Sequence, residues 1–193
     1  MAMRVEIEKI AKRIFALAGK MPLRVFIRAK KGGLIRFTNN GIHQNTFQDL
    51  LHYNLHSARE GAGWVESNGT SEAGIRTSLE KLKSLNTGFS LAERQSSPPP
   101  SRASFLKKKE YFSFPLERVP EMAAQTIEKA VNLIQNEKAS ANGYYSAYER
   151  FFYWADSQGF KIFHPSTAVR FGVTLTKGSG KGYFSFYHPD SRK

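Results

Sequence analysis

The sequence contains no cysteine, which excludes disulfides, thiolate zinc sites and a cysteine nucleophile together. Acidic side chains are scarce: 16 Asp and Glu stand against 29 Lys and Arg, for a formal net charge of +13. No apolar run is long enough to span a bilayer, and the first twenty residues, with Glu6 and Glu8 and no small-residue cleavage site, do not read as a secretory signal. These absences point to a soluble, cytoplasmic protein with no membrane partner. Catalytic signatures are missing as well. No His is followed by Glu, which removes the helical zinc-peptidase motif, where a base must sit beside the first metal ligand. No Gly-x-Ser-x-Gly elbow occurs, and spacing singles out no pair of carboxylates.

What is present reads as α+β. With 193 residues, 40% hydrophobic and 23% charged, the chain can bury a real core, in one large domain or two small lobes. Ile7, Ile10, Ala11, Ile14, Leu17 and Ala18 recur at helical spacing and predict an amphipathic helix over residues 4–19, ending near Gly19. Leu23 to Ile27 alternate as a strand, Lys30-Lys31-Gly32-Gly33 reads as a turn, and Leu34 to Phe37 resume the strand pattern. Asn40-Gly41 is a hairpin signal because both residue types tolerate positive φ, so Asn39, Asn40 and Gly41 are expected to make a turn. On the next strand Ile42, Gln44 and Thr46 would share one face and His43 and Asn45 the other. Glu60 to Gly63 predicts a further turn, and Ser71 is placed to cap a helix whose inward positions are Ile75, Leu79 and Leu82.

Residues 86–116 abandon periodicity around Ser96-Ser97-Pro98-Pro99-Pro100-Ser101 and Lys107-Lys108-Lys109, the composition of a linker or long loop. A helix is expected from about Pro120, with Ala123, Ile127, Ala130, Val131 and Ile134 inward. Then comes an aromatic-rich stretch, with Tyr144, Tyr145, Tyr148, Phe151, Phe152, Tyr153, Trp154 and Phe160 around a turn at Asp156-Ser157-Gln158-Gly159. Val169, Phe171, Val173 and Leu175 alternate, and Gly178 to Gly182 turn the chain into Tyr183 to Tyr187. The expected architecture is two lobes, each of antiparallel strands with amphipathic helices: residues 1–86, a Pro/Ser/Lys-rich linker over 87–116, and residues 117–193.

Several local patterns invite chemistry and fall short of it. "KGSGKG" lacks the glycine spacing and the Lys-Ser/Thr of a phosphate loop and reads as a hairpin turn. "KGYFSFYH", residues 181–188, opens like an RNA-recognition strand, but Phe184 and Ser185 stand where that motif wants a small residue and an aromatic. His52 and His56 share a strand face without a third ligand at a recognisable spacing. The basic excess is sharpest at the ends: residues 1–50 hold ten basic and three acidic side chains, and residues 151–193 hold six and two. Such an excess draws polyanions, keeps a protein dissolved or faces an acidic partner.

The blocks "LIRFTNNGIHQN", "EGAGWVESNGTSEAGIRTSLEKL", "WADSQGF" and "TLTKGSGKGYF" occur in an order that resembles the amino-terminal half of the TldD/PmbA family, described as modulators of DNA gyrase and as zinc metallopeptidases that process small peptides. The resemblance runs from about Leu23 to His188. It implies two α+β lobes that precede a carboxy-terminal catalytic domain, where a helical His-Glu-x-x-x-His motif holds zinc. That motif is not in this sequence, so the resemblance carries over no catalytic or metal-binding residue and no cofactor for this chain. It implies a non-catalytic scaffold for dimerisation, with a like chain or another TldD/PmbA-like chain, and for engaging a peptide substrate. His43 and Asn45 are the candidate peptide or partner contacts on the sheet face. Two other readings stand beside it: a basic nucleic-acid-binding module, and an enzyme using His43, His52 or His164.

Overall fold

The helical spacing near the amino terminus forms α1 (Ala2–Ala18), which buries Ile7, Ile10, Ala11 and Ile14 and stops at Gly19, where φ is +60°. The computed structural model of the protein describes residues 2–57, 63–85, 116–134 and 137–188. Among these residues the chain continues as β1 (Leu23–Thr38), β2 (Gly41–Ser57), β3 (Trp64–Ser67), α2 (Glu72–Leu85), a 3-10 turn (Leu116–Arg118), α3 (Val119–Asn132), β4 (Ser140–Asp156), β5 (Lys161–Lys177) and β6 (Gly180–His188). The expected α+β class holds. The strands form one six-stranded antiparallel sheet in the order β3-β2-β1-β4-β5-β6. No helix among the described residues is long and apolar enough to cross a membrane. The expected linker over 87–116 lies almost wholly outside the described residues, as does most of the turn expected at Glu60 to Gly63.

The chain divides into two compact units, each drawn from separated stretches. Among the described residues one comprises 2–29, 51–57, 63–85 and 151–164, the other 30–50, 116–134, 137–150 and 165–188. Sequence reading expected contiguous lobes, 1–86 and 117–193. The difference has a plain cause: β1, β2, β4 and β5 are 16 or 17 residues long and each contributes residues to both units. Turn signals show where a strand reverses, but nothing local marks where a long strand passes from one core to the next.

In the first unit α2 packs on β3 and on α1, and Ile75, Leu79 and Leu82 of α2 are buried, as are Leu23, Val25 and Ile27 of β1 and Leu55 of β2. Ser71 caps α2 as expected, its Oγ accepting from Gly74 N at 3.2 Å. Tyr53 is fully buried, and its hydroxyl is satisfied between Ser78 Oγ and Gly69 O, each at 3.1 Å. In the second unit α3 buries Val119, Ala123 and Ile127 against Ile35, Phe37, Ala141, Tyr145, Ala147, Val169 and Val173. Pro120 sits in its first turn, where a missing N–H costs no hydrogen bond.

Lys30 to Gly33 is strand, not the expected turn. Gly32 lies at φ +152°, and a Cβ there would stand 2.0 Å from the carbonyl oxygen of Ala147 and 2.9 Å from the Tyr148 ring. The glycine is present because β4 and its tyrosine approach the backbone of β1, a requirement set by a residue more than a hundred positions away.

Candidate functional site

The amide-rich knot is a hairpin turn, displaced by one residue from its expected centre. Asn39 and Asn40, at φ +47° and +66°, are its two positive-φ residues, and Gly41 already begins β2. A two-residue type I′ turn needs positive φ at both central positions, and asparagine tolerates it. The amides are used internally. Asn40 Oδ1 accepts from Ala141 N at 2.7 Å, its Nδ2 donates to Ala139 O at 3.3 Å, and Asn40 N donates to Ala141 O at 3.2 Å. Asn142 Oδ1 accepts from Asn39 N at 3.1 Å and from Thr38 Oγ1. The turn is thereby stitched to the start of β4.

His43 and Asn45 are exposed on β2, at alternate positions on one face. Neither side chain takes part in a hydrogen bond or ion pair among the described residues. Nothing in the geometry joins them to another reactive group. His52 Nε2 lies 3.8 Å from Glu66 Oε1, and His56 stacks on Trp64, its β3 partner, with centroids 6.2 Å apart. Burial and then the Arg24 charge push the His56 imidazole below its ordinary pKa. Among the described residues no three His, Asp or Glu side chains converge as a metal site requires.

The second unit carries a face that sequence reading did not single out. Lys30 Nζ sits 3.6 Å from the centroid of the Tyr148 ring and donates to Gln48 Oε1 at 3.0 Å. Burial, and then the charges of Arg150 and Arg170, push the Lys30 ammonium below its ordinary pKa. Arg150 and Arg36 act in turn on Tyr148, whose hydroxyl burial pushes upward. One strand further, the Arg170 guanidinium lies over the ring of Tyr187, its β6 partner, at 5.5 Å. Tyr144 lies on this face too, its ring against Gly172, where a Cβ would stand 2.7 Å from it. Four cations and three tyrosines are gathered here. Among the described residues no carboxylate forms an ion pair with Lys30, Arg36, Arg150 or Arg170.

This face ends at β6, the edge of the sheet. Every residue of β6 from Gly180 to Tyr187 is exposed, and on its outer side no strand of the described residues pairs with it. Register with β5 places Lys181, Tyr183, Ser185 and Tyr187 opposite Thr176, Thr174, Gly172 and Arg170. Phe184, Phe186 and His188 point to the other side, opposite Val173, Phe171 and Val169, and Phe186 stacks on His188 with centroids 6.0 Å apart. Arrangement of this kind suits pairing of an extended chain to β6 with anionic groups on the tyrosine side. The signal was present in sequence as even-numbered Tyr144, Tyr148 and Arg150 on one strand. It became a site only when β1 was placed beside β4 and β6 beside β5.

No protein-family model matches the chain, and no curated protein matches it. Solved structures do. Two described as "putative modulator of DNA gyrase" come from Thermotoga maritima, at 13% identity and TM-score 0.68, and from Bacteroides thetaiotaomicron, at 20% and 0.63. Each covers 94% of this chain, while the chain covers 42% and 44% of them. TldE from Thermococcus kodakarensis matches 99% of the chain at 15% identity and TM-score 0.61, with 44% of its own length covered. The resemblance to the TldD/PmbA family read from the sequence therefore holds at the level of three-dimensional structure: the chain has the fold of TldE and of these gyrase-modulator proteins, over less than half of their length.

Proposed function

We propose that this chain is a non-catalytic amino-terminal portion of a TldD/PmbA-like zinc metallopeptidase, a scaffold for dimerisation with another TldD/PmbA-like chain and for engagement of a peptide substrate. The observation that carries this reading is the match of nearly the whole chain to less than half of TldE and its fold neighbours, with a nine-residue aromatic edge strand whose outer side is unpaired among the described residues. Zinc and the catalytic side chains belong, on this reading, to the rest of such an assembly. The chain itself holds and presents the peptide, and an exposed strand edge offers the backbone donors and acceptors needed to add one more strand.

The test is the protein isolated from its own cells, by intact mass and by sedimentation. A mass above 21.8 kDa, or co-purification with a chain carrying the zinc motif, is expected, together with dimers. A monomer of 21.8 kDa with no companion and no affinity for extended peptides overturns the reading.

A further inference from the structure

Resting on the reading of peptide engagement, we propose that the β6 edge selects extended peptides in which acidic and apolar residues alternate. A strand added outside β6 would lie about 4.8 Å away, with successive side chains pointing to opposite faces. One set would meet Lys181, Tyr183 and Tyr187, with Arg170 directly behind Tyr187. The other would meet Phe184 and Phe186. Both sets of aromatic side chains are open: Tyr183 is 67% exposed, Phe184 57% and Tyr187 55%. The first face is cationic, and the second is apolar apart from the stacked His188.

Charge complementarity decides the sign of the partner. The cations within reach of such a strand are Lys181, on β6 itself, and Arg170, over the Tyr187 ring; neither forms an ion pair with a carboxylate among the described residues, so acidic side chains on the added strand gain attraction there. The same geometry disfavours single-stranded nucleic acid. Bases need free ring faces to stack upon. Tyr148 is only 5% exposed with an ammonium over its ring, Tyr144 lies against Gly172, and a guanidinium lies over one face of the exposed Tyr187 ring, which leaves no continuous row of free rings along this face. A nucleic-acid strand also lacks the regularly spaced main-chain N–H and C=O groups that match the β6 edge, which a peptide supplies.

The experiment measures fluorescence anisotropy of labelled peptides of about nine residues, the length of β6, with the full 193-residue chain. The probes are alternating Glu-Leu, alternating Lys-Leu, alternating Ser-Leu, a block peptide of the Glu-Leu composition, Glu-Leu with N-methylated alternate amides, and an oligothymidylate. Alternating Glu-Leu should bind about tenfold more tightly than Ser-Leu and still more tightly than Lys-Leu, and N-methylation or the block order should remove most of that gain. Arg170→Gln should abolish the preference for Glu-Leu over Ser-Leu while leaving Ser-Leu affinity in place. Its exposed position makes misfolding a small risk, checked by circular dichroism. Equal affinity for Glu-Leu, Ser-Leu and Lys-Leu overturns the acidic preference and leaves peptide engagement standing; no binding of any peptide overturns both. Block and alternating peptides binding alike, or the oligothymidylate binding best, replaces strand addition by general polyanion attraction. Dimers that dissociate on Tyr183→Ala and exclude every peptide make a second copy of the chain the occupant of β6 instead.

Discussion

Two strands of this protein are rich in aromatic residues and meet opposite fates. On β4, Tyr145, Tyr148, Phe151 and Tyr153 are buried; on β6, Tyr183, Phe184, Phe186 and Tyr187 are all exposed. Composition does not separate them. Position in the sheet does: β4 lies between β1 and β5, and in the second unit α3 packs over Tyr145, whereas β6 is an edge. The comparison teaches that aromatic density in a strand is a statement about potential burial, and that the neighbouring strand decides whether it becomes core or contact surface.

The comparison breaks most visibly at the centre. Tyr145→Ala should destabilise the fold by about 4 kcal/mol, read as a lower urea midpoint, because the ring leaves a cavity beneath α3. An effect below about 1 kcal/mol would mean that β4 is not core. Gly32→Ala should cost about 3 kcal/mol by chemical denaturation, since its methyl group would meet the Ala147 carbonyl at a separation no real contact shows. At the turn, Asn40→Ala should cost about 1.5 kcal/mol through lost hydrogen bonds to Ala139 and Ala141 and a positive φ that alanine resists. Tyr183→Ala and Phe184→Ala on β6 should change stability by no more than about 0.5 kcal/mol while weakening peptide binding, which would sharpen the contrast between core and surface.

The smallest expected effect is a pH dependence in the first unit. The folded pKa of His56 is depressed, so between that value and the ordinary 6.5 the unfolded chain binds more protons than the folded one. Stability should therefore fall as pH drops from 6.5 through the folded pKa, and His56→Gln should flatten that part of the melting profile. An unchanged slope in the variant would assign the dependence to another group.

Much of the fold was legible because its signals are local. The spacing of Ile7, Ile10, Ala11 and Ile14 is enough for α1, Ser71 for the start of α2, and the Asp156 to Gly159 turn for the β4–β5 hairpin. The turn at Asn39 and Asn40 was found one residue out of place, since asparagine and glycine both accept positive φ and only the closing strands choose between them. The candidate site was hardly legible at all. His43 and Asn45 were chosen because polar residues after a turn attract attention, and they stand exposed without partners among the described residues. Lys30, Tyr148, Arg150 and Arg170 come from three strands.

The sequence by itself therefore determined the α+β class, the helix and strand types, the absence of cysteine chemistry, the basic charge and the likeness to TldD/PmbA proteins, because these follow from composition, periodicity and short motifs. Only the tertiary structure decided that long strands serve two units, that Gly32 belongs to a strand, and that four cations and a line of tyrosines share one face ending at an open edge. The physical reason is that periodicity is a property of neighbours along the chain. Sheet order and register are set by side chains that meet across it.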